Sequence, residues 1–179
     1  MYINKQKNGM TVLFGIIYLL FFLLSAVNLT GRDGIANIKP DILLSLACVC
    51  PVFCTKKASA VYALLFGFLT DISVTPPAHL SPLVFLLAAY LMPKLSSGFS
   101  RTSVAVCAVC SCPVLLIRAV TGLVYLLRSY AGSKITELVK FTLAPELAVN
   151  FAAVIVTYFI CVGLVRLFRI QVDNNFNIF

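Results

Sequence analysis

The sequence predicts an all-α integral membrane protein with six transmembrane helices and both termini on the cytoplasmic side. Three observations predict it. Of 179 residues, 61% are hydrophobic and only 11% charged, where a soluble domain carries roughly a quarter charged residues. The mean hydropathy is +1.02, more apolar surface than a globule of this length encloses. The apolar residues fall in runs near the length a bilayer demands, about 20 residues. Soluble enzyme, nucleic-acid binder and disordered chain are excluded on the same grounds. The formal charge of +8, from 14 Lys and Arg against 6 Asp and Glu, then records topology rather than a nucleic-acid partner.

The first span, 10–28, follows Lys5 and Lys7. Its apolar run is too long for a signal-peptide core and no small-x-small site follows it, so it reads as a retained helix. A polar stretch, 30–39, leads to a short second span, 40–54. Pro40 suits a first helical turn, where its missing N–H costs nothing. Pro51 falls in the last turn, and Lys56 and Lys57 close the span; a re-entrant segment is the alternative. The third span, 58–74, ends at a Thr75-Pro76-Pro77 break. The fourth, 80–93, ends at Lys94 and Ser96-Ser97-Gly98. The fifth, 102–127, is long enough to tilt. The sixth, 141–168, carries Pro145 in its first turns. With no long loop and no internal repeat, the chain reads as one polytopic membrane domain. Segment 133–141 fits a short helix lying in the interface as well as it fits a loop, and 171–179 reads as a fraying tail.

Six spans place both termini on one side. Lys5, Lys7, Lys56, Lys57, Lys94, Arg101, Arg166 and Arg169 share that side, opposed by Asp173 alone. Arg32, Lys39, Arg128, Lys134 and Lys140 on the other side are nearly balanced by Asp33, Asp41, Glu137 and Glu146. Basic residues are retained on the cytoplasmic side, which gives N-in and C-in.

Ionisable residues within spans are costly and mark candidate sites. Counted at ~1.5 Å per residue from the inner ends, Asp71 lies roughly 20 Å along the third span and Arg118 roughly 25 Å along the fifth. Asp41 opens the second span, Glu146 lies about one turn into the sixth, and Asn150 follows one turn below. These residues reach similar outer depth from four helices, so a polar cluster open to the external face is expected, either as structural ion pairs or as a binding site. Arg118 is the sole base deep in a span, and its expected partner is Asp71 or Glu146; a snorkelling, unpaired Arg118 is the alternative. Asp41 also fits a plain helix cap.

Cys107, Cys110 and Cys112 contain a C-x-x-C spacing but lie in an apolar span without further ligands. Together with Cys48, Cys50, Cys54 and Cys161 they read as small apolar residues. His79 is the single histidine, in an outer turn. No Gly-rich phosphate loop, H-E-x-x-H or paired D-x-x-D occurs, so no catalytic residue, metal or cofactor is expected.

Three motifs carry a family resemblance. Lys39-Pro40-Asp41 opens the second span, Gly67-Phe68-Leu69-Thr70-Asp71 falls late in the third, and Pro145-Glu146-Leu147-Ala148-Val149-Asn150 opens the last. In this order, over roughly residues 38–168, they resemble the bacterial rod shape-determining protein MreD family. The matched positions are Pro40, Asp41, Gly67, Asp71, Pro145 and Asn150. Arg118 belongs to none of the motifs, and the Val74-Thr75-Pro76-Pro77 turn departs from the Gly-containing turn of the family. The resemblance implies a non-catalytic scaffold or regulator in the bacterial cytoplasmic membrane. It implies work beside MreC, the MreB filaments, RodA and its class B penicillin-binding protein, and a fold like that of the substrate-binding S components of energy-coupling factor transporters.

Two functions are therefore expected in competition. In the first, a helix face binds a single-span partner such as MreC. Ala144, Ala148 and Ala152, four residues apart on the sixth span, offer a close-approach surface, with internal packing as the alternative. In the second, the chain is a vitamin-binding S component with the polar cluster as its pocket. The lack of an A-x-x-x-A surface on the first span, and of any Trp, weighs against the second.

Overall fold

The computed structural model describes residues 2–26, 40–73, 80–96, 103–129 and 143–168. Among these residues the chain forms six helices: α1 (Tyr2–Ala26), α2 (Ile42–Phe53), α3 (Lys56–Ser73), α4 (Ser81–Leu95), α5 (Val104–Ser129) and α6 (Ala144–Leu167). The six expected apolar runs become six helices in the expected order. α6, and α5 over Val104–Val124, are long and apolar enough to cross a membrane; Gly9–Ser25, Ile42–Phe53 and Ser81–Leu95 are shorter apolar stretches. α1 begins at Tyr2 rather than at residue 10, because Lys and Gln are good helix formers and continue the helix past the apolar run. His79 and segments 133–141 and 171–179 lie outside the described residues.

The second apolar run, expected as a short span with a re-entrant segment as the alternative, becomes the centre of the molecule. α2 has 12 residues and every one from Leu43 to Phe53 is buried. At ~1.5 Å per residue it is about 18 Å long, well short of a bilayer core of about 30 Å. All the other helices pack on it, and α1, α3, α4, α5 and α6 follow one another around it in an arc. Pro40 precedes the helix rather than opening its first turn, since Asp41 is the N-cap. Pro51 removes one backbone bond near the other end. The helix closes at Cys54, whose backbone turns extended and whose N–H donates to the Cys50 carbonyl at 2.8 Å. Only Cys54 and Thr55 separate α2 from α3, so the two helices reverse direction sharply. The Thr55 hydroxyl accepts from the Ala58 N–H at 3.4 Å and starts the new helix.

α3 returns against α4, and Gly67 allows the approach. A Cβ added at Gly67 would stand 2.5 Å from the Pro82 Cα and 2.9 Å from its nitrogen. Both obstacles are backbone, so any side chain there separates the helices. α1 joins α3 through the Tyr62 hydroxyl, which donates to the Thr11 carbonyl at 2.6 Å. Tyr18 of α1 stacks on Phe66 at 4.9 Å between ring centroids. Phe53 at the end of α2 meets Phe14 of α1 at 5.7 Å and Tyr158 of α6 at 5.8 Å.

The outward faces stay apolar. Val12, Ile16 and Leu20 of α1, Val61, Leu65 and Phe68 of α3, and Val109, Leu116 and Val120 of α5 are all exposed. Such surface is costly in water and suited to lipid. Charge is sorted along the helix axes. Asp41, Asp71 and Glu146 lie at the end where α2 and α6 begin and α3 finishes, whereas Lys56, Lys57, Lys94 and Arg166 lie at the opposite end.

Candidate functional site

The polar residues of the acidic end meet where α2, α5 and α6 converge. Asp41 is the centre. Its Oδ1 accepts from the Leu44 N–H at 3.0 Å, the ordinary bond of a helix N-cap. Its Oδ2 lies 3.4 Å from Nε of Arg118 on α5. Its own backbone N–H donates to Oδ1 of Asn150 on α6 at 2.7 Å. Its carbonyl accepts from the Ser45 hydroxyl at 3.0 Å as well as from the Ser45 N–H. One residue thus ties three helices together.

The geometry has a local reason. In a capping box, a Glu or Gln at the third helical position reaches back to the N-cap N–H. That position in α2 is Leu44, which cannot. Asn150 supplies the missing acceptor from another helix, and at 3% exposure it is held for that task. Arg118 and Asp41 are 21% and 19% exposed, so the pair is largely desolvated and its two charges depend on each other. Glu146, in the first turn of α6 one turn before Asn150, is close enough to feel the charges of both Arg118 and Asp41.

The structure therefore brings together Asp41, Arg118, Asn150 and Glu146, and it leaves Asp71 elsewhere. The expectation that Arg118 pairs with Asp71 or Glu146 is corrected: its ion-pair partner is Asp41. Similar depth misled because depth is one coordinate of three. α3, which carries Asp71, packs on α4, α1 and α2, whereas α5 packs on α6, α4 and α2. Asp71 makes no ion pair or hydrogen bond among the described residues and is half-buried near the end of α3, one residue past Thr70, whose hydroxyl returns to the Phe66 carbonyl at 2.6 Å. Asp41 was expected either as a plain helix cap or as a member of the polar cluster; one carboxylate oxygen caps α2 and the other faces Arg118.

Most motif positions acquire a structural task. Pro40 leads into the cap, Asp41 is the cap, Gly67 admits α4, Pro145 lies in the first turn of α6, and Asn150 completes the node. Sequence reasoning passed over Ser45, which is fully buried against the Asp41 carbonyl; its signal was the four-residue spacing from Asp41. Ala144, Ala148 and Ala152 are exposed rather than packed inside. At 100° per residue they lie on the side of α6 opposite Glu146 and Asn150. The cysteines are free, buried except for Cys112, and no group of three metal-ligating side chains occurs among the described residues.

Such a fold and node define a helical membrane protein whose charged side chains bond its own helices to one another. The chain belongs to the MreD family: residues 6–168 match the family model for rod shape-determining protein MreD. MreD is a non-catalytic membrane protein with a role in determining rod shape. No curated protein and no solved structure matches the chain.

Proposed function

We propose that this chain is a membrane scaffold of the cell-elongation complex, with six spans and both termini in the cytoplasm. Through MreC it is linked to MreB, RodA and a class B penicillin-binding protein. Family membership supports the role, and the sorting of basic residues to one end of the bundle supports the orientation. The observation that carries the partner surface is the outward alanine face of α6. Between helices in lipid there is no hydrophobic driving force, so association rests on close backbone approach at small residues. Ala144, Ala148 and Ala152 present that surface, while the opposite side of the helix is occupied by the node.

The test is affinity purification after in-cell crosslinking, with wild type compared with Ala148→Leu. An exposed alanine enlarged to leucine leaves the fold intact, so the melting temperature in detergent stays within about 2 °C, as surface substitutions within ~0.5 kcal/mol require. Recovery of an MreC-like partner falls severalfold. Unchanged recovery and unchanged cell shape remove this face from the account. Recovery of a transporter coupling subunit with its ATPases, or of a stoichiometric vitamin, replaces the scaffold reading with that of an S component.

A further inference from the structure

Lys56 and Lys57 open α3, and Lys94 lies in the last turn of α4. The two helices pack side by side and antiparallel, so all three lysines share one end of the hairpin, and all three are exposed. Two cations in the first turn of α3 oppose the helix dipole, whose positive end is there. The described carboxylates, Asp41, Asp71 and Glu146, lie at the other end of the bundle from Lys56 and Lys57.

The lysines also continue into apolar surface. At 100° per residue, Val61, Leu65 and Phe68 fall on the side of α3 that Lys57 heads, and all are exposed. On α4, exposed Leu83 and Tyr90 lead to Lys94, whose Nζ lies 5.9 Å from the centre of the Tyr90 ring. Tyrosine and lysine together mark the depth of lipid headgroups. Val61 to Phe68 covers about 10 Å, within the ~15 Å of one leaflet of a 30 Å core.

We infer that this end of the α3–α4 hairpin binds an anionic phospholipid, with Lys56, Lys57 and Lys94 around the headgroup phosphate and the acyl chains along the Val61–Phe68 and Leu83–Tyr90 faces. Continuity of cation and apolar stripe on two adjacent helices selects a lipid over a soluble anion, which uses only the lysines. Charge selects an anionic headgroup over a zwitterionic one.

The test uses the full chain in nonionic detergent with equimolar phosphatidylglycerol and phosphatidylcholine, and native mass spectrometry to count retained lipids. Wild type retains phosphatidylglycerol preferentially, and the preference falls as salt rises. Lys56→Gln, Lys57→Gln and Lys94→Gln each lower it by roughly fivefold, from about 1 kcal/mol per basic residue near an anionic surface. Arg166→Gln, on α6, leaves it in place. Far-UV circular dichroism of each variant checks that the helices persist. Equal retention of the two lipids by wild type, a preference that ignores salt, or a preference that survives the triple substitution each overturns the inference.

Discussion

Removing one charge of the Asp41–Arg118 pair should destabilise the fold more than removing both in proportion, and a double-mutant cycle measures the difference. Arg118→Leu leaves the Asp41 carboxylate with its cap bond to Leu44 but without a counter-ion. Losing one member of a fully buried pair costs about 3–5 kcal/mol; with each side chain about one-fifth exposed, about 3 kcal/mol is expected. Asp41→Asn keeps the cap, since Asn and Asp cap equally well, and costs ~2 kcal/mol because Glu146 remains near Arg118. The double variant strands neither charge and should cost ~2 kcal/mol, leaving a coupling of about 3 kcal/mol. Asp41→Ala should cost ~1 kcal/mol more than Asp41→Asn through the lost cap. The assay is unfolding in mixed micelles by sodium dodecyl sulfate titration, followed by far-UV circular dichroism. Single-variant costs that simply add, to within ~0.5 kcal/mol, would show that the two side chains do not depend on each other. Asp71→Asn combined with Arg118→Leu should add in that way; a coupling there would restore the pairing that the structure rejects.

The remaining predictions concern packing and buried hydrogen bonds. Asn150→Leu leaves the Asp41 N–H without its acceptor and should cost about 1–3 kcal/mol in the same titration. Gly67→Ala drives a Cβ against the Pro82 backbone and should lower stability by ~1–3 kcal/mol. Gly122→Ala meets nothing within 4 Å and should gain up to about 1 kcal/mol from helix propensity; a melting curve that ranks the two glycine variants the other way would contradict the α3–α4 contact. Tyr18→Phe removes a buried hydroxyl that has no hydrogen-bond partner among the described residues and should leave the melting temperature unchanged or raise it, whereas Tyr62→Phe loses a 2.6 Å bond to Thr11 and should cost ~0.5–1.5 kcal/mol.

Helix number and order were legible because each helix is written as an apolar run bounded by polar, Pro or Gly residues. Lateral arrangement was not. A residue facing lipid and one facing a neighbouring helix are equally apolar, so α6 reads alike all round. That is why Ala144, Ala148 and Ala152 were left open between internal packing and an outer face until the structure placed them outside. Depth along a helix was legible too, and it put Asp41, Arg118, Glu146 and Asn150 at one level. Which of them touch depends on which helices adjoin, and this separated Asp71 from Arg118. The brevity of α2 carried a further message in its composition. Eleven consecutive buried positions, Leu43–Phe53, contain Ser45, Cys48, Cys50 and Pro51, small or stiff residues suited to a helix surrounded on every side.

The same indifference of lipid to apolar side chains explains why the node exists. α2 gains little by choosing protein over lipid for its leucines, because both are oily. Apolar burial therefore fixes neither its depth nor its rotation. The Asp41 contacts do fix them, because each has a direction: a cap bond along α2, an ion pair towards α5 and a backbone bond towards α6. Sliding α2 by one residue along its axis, ~1.5 Å, would break the 2.7 Å bond to Asn150 and strand an N–H inside the bundle. Asn150 is in turn carried by the helix whose far side bears the alanine stripe. Asn150 thus links the position of α2 to α6, so under the proposed scaffold reading Asn150→Leu should weaken partner capture even though it lies on the side of α6 opposite the alanine stripe. Capture unchanged in Asn150→Leu, with stability lowered as expected, would show that the alanine face keeps its orientation without the node.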